Sequence, residues 1–281
     1  MLLFQLPVRL LAAFVLLLSL VSQSARAQTQ PAPLCIGQTF TLDSKVLGET
    51  RRLNVYLPPA YADSATLRLP VLYMPDGGLA EDFLHVAGLV QVLTGNGTMR
   101  PFILVGIENT QRRRDLTGPT TSAEDRKIAP RVGGSASFRQ FLRTELMPAV
   151  QQRHRTTPET AVVGESLAGL FVVETLLLEP DLFDTYLAFD PSLWWNNGQL
   201  AAQAGQLARA HLRSPKTLYL ATSSQGDLEA TRQLSLVLAR QTAPVVTCQY
   251  EPMPQETHQT IYHPAALRAF QLVFKPRVPA K

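Results

Sequence analysis

Thr160-Ala161-Val162-Val163-Gly164-Glu165-Ser166-Leu167-Ala168-Gly169-Leu170 decides how the rest of the chain is read. An apolar, β-prone run enters a Gly-x-Ser-x-Ala-Gly turn, and an apolar helical pattern begins at once. Strand, sharp turn and helix in that order form the setting in which a serine nucleophile is presented. The turn is so tight that the residues two before and two after the serine must be small, and Gly164 and Ala168 stand there. The helix behind the serine directs its positive end at an oxygen that gains charge during reaction. Ser166 as a mere helix cap is the competing reading, and the strand immediately before it favours the nucleophile.

Outward from this turn, strand-like and helix-like segments alternate. Residues 38–43 and 51–57 alternate polar and apolar side chains, as half-exposed antiparallel strands do. Residues 71–74, 102–107, 160–163 and 217–222 are short β-prone runs ending near Gly, Asp or Ser, with 185–189 and 245–251 as further strands. Apolar residues at helical spacing mark 137–154, 167–178, 227–240 and 264–274. This order predicts an α/β fold with a mostly parallel central sheet and helices on both faces. With no repeat and no dividing linker, residues 35–281 read as one domain.

The chain has 281 residues, 46% hydrophobic and 17% charged, enough for a large core without metal or disulfide staples. At its start, Arg9 precedes the apolar run 10–21, and Ala25-Arg26-Ala27 offers small residues at the two positions flanking Arg26. Residues 1–27 therefore read as a signal peptide and 28–34 as a tether. The apolar run is too short to span a bilayer, which needs roughly 20 residues. The expected product is exported, periplasmic or secreted, with no membrane span after cleavage. Loss of Arg9 and Arg26 leaves 24 basic against 22 acidic residues, a balance that gives no support to nucleic-acid binding. Cys35 and Cys248 lead into the first strand and lie in the last, at opposite edges of the expected sheet. They are expected to be unpaired, since a disulfide needs Cα atoms about 4.4–6.8 Å apart.

A serine nucleophile needs a base. In hydrolases of this architecture the parts follow the order Ser, acid, His, with the histidine in a loop after the last strand. His258 fits that place, and His263, at the start of the closing helix, is its rival. The acid is sought in Ser223-Ser224-Gln225-Gly226-Asp227, after strand 217–222. Asp227 is the choice and Glu229 the second, although Asp227 also suits a helix N-cap.

The chain resembles the putative-esterase family of the α/β-hydrolases, in its esterase D and enterochelin esterase branch. The resemblance rests on Val71-Leu-Tyr-Met-Pro-Asp76-Gly77-Gly78, Val105-Gly-Ile107, and Asn109-Thr-Gln-Arg112-Arg113-Arg114-Asp115-Leu-Thr117. It continues with Phe141-Leu-Arg-Thr-Glu145-Leu-Met-Pro148, the serine turn, Asp190-Pro191-Ser192-Leu193-Trp194-Trp195-Asn196, and Glu256-Thr257-His258. Ala168 stands where most relatives have Gly, and Ser223-Ser224 where many have Gly-Glu, so a Ser-His dyad also enters consideration. The resemblance implies an oxyanion hole formed by the amide of Leu167 and one from Gly77 or Gly78. It also places Arg112 and Arg114 near the pocket, where a guanidinium could grip anionic oxygens. Of Trp194 and Trp195, one is expected in the core and the other as an apolar wall for an aromatic acyl group. The expected activity is a serine esterase acting on a small-molecule ester, siderophore-like or aromatic-acyl, without metal or organic cofactor. Acyl transfer on the same fold and a catalytically silent binding protein are the alternatives.

Overall fold

Eight strands form one sheet in the computed structural model, which describes residues 32–241 and 246–276. In chain order they are β1 (Gln38–Ser44), β2 (Glu49–Tyr56), β3 (Leu69–Pro75), β4 (Ile103–Ile107), β5 (Thr156–Glu165), β6 (Thr185–Phe189), β7 (Lys216–Ser223) and β8 (Val246–Met253). The spatial order is β1-β2-β4-β3-β5-β6-β7-β8. β1 pairs antiparallel with β2, and β2 with β4; every other neighbouring pair is parallel. This is the α/β-hydrolase architecture expected from the sequence.

The inner strands read as nearly unbroken apolar runs because both faces are covered. Val71, Tyr73, Val162, Tyr186, Ala188, Leu218 and Leu220 join one core. Leu72, Met74, Ala161, Val163, Leu187, Phe189, Tyr219 and Ala221 join the other. The alternation follows the two-residue period of a strand. The first core takes in the helix Leu167–Leu178 and residues of Gln199–His211 and Leu228–Ala239, and the second takes in the helices Phe83–Gly95 and Tyr262–Val273. The expected helix over 137–154 consists of Ser135–Phe141, a π-helical turn Leu142–Leu146 and Met147–Arg153. Pro148, which has no amide hydrogen to donate, lies two residues beyond that turn.

Gly37–Lys281 is a compact unit of its own. The signal peptide expected over 1–27 lies outside the described residues. Among the described residues, no helix is long and apolar enough to cross a membrane. Cys35 and Cys248 are both free, and burial pushes the Cys248 thiol up to about 12, which makes it a poor nucleophile near neutral pH.

Candidate active site

Parallel strands ending side by side bring the site together at their C-terminal ends. β5 runs beside β6 with Glu165 opposite Phe189. Ser166 follows β5 with φ 61° and ψ −120°, a backbone state that costs an ordinary residue about 1–3 kcal/mol. Its amide donates to Phe189 O (3.0 Å), and its carbonyl accepts from the Ser192 amide (3.1 Å). These bonds hold the strained turn from both sides. A Cβ on Gly164 would collide with Ala168, and one on Gly169 would lie 2.9 Å from Phe189 O. The small residues of the motif are thus required by contact.

Ser166 Oγ lies 3.0 Å from His258 Nε2, and His258 Nδ1 lies 3.1 Å from Asp190 Oδ2. With the imidazole in the Nδ1–H tautomer, the serine hydroxyl donates to Nε2 and Nδ1–H donates to the carboxylate. His258 is in the loop after β8, where the sequence places it. His263 belongs to the closing helix, its ring against His85.

The acid expected at Asp227 is elsewhere. Asp227 Oδ1 accepts from the Ala230 amide (3.1 Å) and caps the helix Leu228–Ala239. Glu229 is exposed and bonded to Arg232 and Gln233. The carboxylate on His258 comes instead from Asp190, directly after β6, with φ 40°. Ser223, in the place where the acid was sought, holds it: the Ser223 amide donates to Oδ1 (2.6 Å) and its hydroxyl to Oδ2 (2.5 Å). A Cβ on Gly226 would collide with Asp190 Oδ1, so this glycine leaves room for the carboxylate. Burial raises the Asp190 pKa, but the bonds from His258 and Ser223 outweigh it and hold the group below its ordinary value. The bond to Asp190 in turn raises His258 above the usual imidazole value, against its partial burial.

A second carboxylate shares this histidine. Glu165 Oε1 lies 3.2 Å from His258 Nδ1, and burial pushes Glu165 up to about 7. Glu165, Asp190 and His258 each bring one ligand-type atom within 4.8 Å of the others. The imidazole has Nε2 on Ser166 and Nδ1–H between the carboxylates, which is a proton-relay arrangement and leaves no lone pair facing the acids. Sequence reasoning missed Asp190 and Glu165. The available signals were a carboxylate at the C-terminal end of the strand beside β5, and no carboxylate directly after β7.

Of the expected oxyanion donors, Leu167 alone is free. Its amide opens the helix, has no intrahelical acceptor, and makes no other hydrogen bond among the described residues. Gly77 N–H donates to Ile107 O (3.0 Å), and Gly78 N–H to Glu81 Oε2 (2.7 Å). Gly77 serves instead as a close-approach point, since a Cβ there would strike Gly106.

The two arginines separate. Arg114 donates Nε to Asp115 (2.6 Å) and both Nη atoms to Glu49 (2.7 and 3.1 Å). That network also holds the fully buried Arg51, so Arg114 is a structural tie and not a free gripping group. Arg112 forms a fork on Asp76 through Nε (2.7 Å) and Nη2 (2.8 Å), and its Nη1 has no hydrogen-bond partner among the described residues. It acts electrostatically on both Glu165 and His258. It also lines a cleft of about 570 Å³ with Arg113, Arg131 and neighbouring residues. Trp195 is the core tryptophan, its indole N–H donating to Gly118 O (2.9 Å). Trp194 is 47% exposed, two residues beyond the Ser192 amide that braces the serine turn.

Residues 44–258 match the family model described as "Putative esterase". Among curated proteins, the chain is 28% identical to the ferri-bacillibactin esterase BesA of Bacillus subtilis over 53% of this chain and 56% of that one. It is 31% identical to the siderophore triacetylfusarinine C esterase of Aspergillus fumigatus, over 59% of each chain. These matches span less than two thirds of the relatives' own lengths. An IroE-like serine hydrolase structure from Shewanella oneidensis superposes with a TM-score of 0.75 at 29% identity, covering 85% of this chain and 80% of that one. The family match spans most of the chain, from the end of β1 to the histidine beside Ser166, and the chain belongs to the Putative esterase family on the α/β-hydrolase fold.

Proposed function

We propose that this chain is a serine esterase in which Ser166, His258 and Asp190 act as nucleophile, base and acid. The observation that carries the reading is the unbroken hydrogen-bond chain from Ser166 Oγ through His258 to Asp190, set on a strained turn at a helix N-terminus. Ser166 Oγ attacks the ester carbonyl carbon while its proton passes to His258 Nε2. The amide of Leu167 faces the oxygen that becomes negative. Collapse of the tetrahedral adduct returns the Nε2 proton to the departing alkoxide, leaving an acyl-serine. Water then gives a proton to Nε2 and its oxygen to the acyl carbon, and Ser166 recovers its hydrogen as the acid leaves. Asp190 keeps Nδ1 protonated throughout and stabilises the imidazolium. These steps are complete without a cofactor.

The substrate class we propose is a polar ester with an anionic or aromatic acyl part, siderophore esters included. Support comes from the names of the relatives and from Arg112, whose charge reaches His258 and Glu165 and which also lines a neighbouring cleft with Arg113 and Arg131, a cleft whose walls do not include Ser166 or His258. The leader sequence supports action outside the cytoplasm. A panel of purified esters tests the class. Arg112→Ala is expected to raise KM for an anionic acyl ester by the equivalent of about 1.5–3 kcal/mol, well beyond its effect on a small neutral acetate. Equal effects on both would remove the gripping role, and preference for long acyl chains would remove the substrate class. Faster product formation with an added alcohol, yielding a new ester, would identify acyl transfer.

A further inference from the structure

We propose that Glu165 is a positioning residue that shares the Nδ1–H of His258 with Asp190 and can hold the imidazole when Asp190 cannot. The inference rests on the esterase reading for its kinetic consequence, while its structural content stands on the geometry.

The sheet register explains how two carboxylates reach one ring nitrogen. Glu165 is the last residue of β5 and lies opposite Phe189, the last of β6. Asp190 comes next in the chain, and the bond from Ser166 N to Phe189 O fixes the two strand ends together. The oxygens consequently meet Nδ1 at nearly equal distances, 3.1 Å for Asp190 and 3.2 Å for Glu165.

Their supports are unequal. Asp190 Oδ2 already accepts the Ser223 hydroxyl, and Oδ1 the Ser223 amide. Glu165 Oε1 is shielded from solvent and has no satisfied hydrogen bond among the described residues. A carboxylate oxygen buried without a donor is costly, and Nδ1–H lies within reach of it. A small rotation of the ring, or a bifurcated bond, transfers the donor from one acid to the other.

The surroundings decide when this happens. Glu165 faces His258 and Arg112, which favour its ionised form, and Asp190 and Asp76, which oppose it. The buried Tyr262 hydroxyl feels the same charge from the closing helix. With burial dominant, Glu165 titrates at about 7. Below that pH it is neutral, and Asp190 alone faces the imidazolium. Above it, two carboxylates do, and the imidazolium that forms during each proton transfer is held more firmly.

The test uses Glu165→Gln, Asp190→Ala and the double variant of the full chain. Nitrogen-15 NMR of the imidazole is expected to show the His258 pKa falling in Glu165→Gln, because a negative neighbour has been removed, and the acid limb of kcat/KM is expected to move to lower pH with it. At pH 9, Asp190→Ala is expected to keep at least about tenfold more activity than Asp190→Ala with Glu165→Gln, a margin that only a group acting in the transition state supplies. An unchanged His258 pKa in Glu165→Gln, or a double variant equal to Asp190→Ala, would overturn the proposal. Wild-type protein inactive on every ester would instead remove the esterase reading, and the NMR titration would still decide the sharing of Nδ1.

Discussion

Ser166→Ala is expected to lower kcat/KM for a simple aryl ester by at least about a thousandfold, with an unchanged circular dichroism spectrum and melting temperature within a few degrees. The size follows from what remains when a nucleophile is lost from such a relay: substrate binding and one oxyanion amide, without covalent catalysis. The fold should tolerate the change, because the bonds bracing the turn run through the Ser166 amide and carbonyl, not its hydroxyl. An alanine variant retaining a tenth of wild-type turnover would place the chemistry on another residue.

The second large effect separates Asp190 from Asp227. Asp190→Ala is expected to reduce kcat at least about a hundredfold near pH 7, since it removes the charge that orients His258 and stabilises its protonated form. Part of this should return as pH rises through the titration of Glu165, which loss of the Asp190 charge moves below its wild-type value of about 7. Asp227→Ala should leave kcat within a few-fold of wild type and cost about 1 kcal/mol of stability, the ordinary value of a lost helix cap. Urea unfolding and steady-state kinetics on both variants check this. The reverse pattern would restore the acid to the loop after β7. In the wild type, activity should fall as pH drops through the His258 pKa, which the bond to Asp190 holds above the ordinary imidazole value.

The contrast between these two aspartates shows what sequence can carry. Elements with strong local signatures were legible: the strand-turn-helix at Ser166, the buried strands with both faces apolar, and the histidine after the last strand. Two helices gave weaker signals. Phe83–Gly95 is apolar around much of its circumference and contains Gly88, while the core-facing stripe of Gln199–His211, Leu200, Ala201, Ala204, Leu207 and Ala208, is built mostly of alanine and contrasts little with the rest of an alanine-rich helix. The acid was misplaced for a different reason. Asp227 satisfies the order rule and the loop rule, and those rules do not record which carboxylate the sheet register brings to the imidazole. That is set by the pairing of Glu165 with Phe189 and by Ser223 and Gly226, whose amide, hydroxyl and missing Cβ create a place for Asp190. Arg114 shows the same limit. Its charge and neighbourhood were readable, whereas its capture by Glu49 depends on a strand hairpin remote in sequence.

The relay centred on Ser166 is tested most directly by treating the purified protein with a fluorophosphonate and mapping the adduct by peptide mass spectrometry. One phosphonyl group is expected, on Ser166, formed at a rate that rises with pH as His258 loses its proton and that collapses in His258→Ala. An adduct on a different residue, or no adduct while ester hydrolysis proceeds, would contradict it.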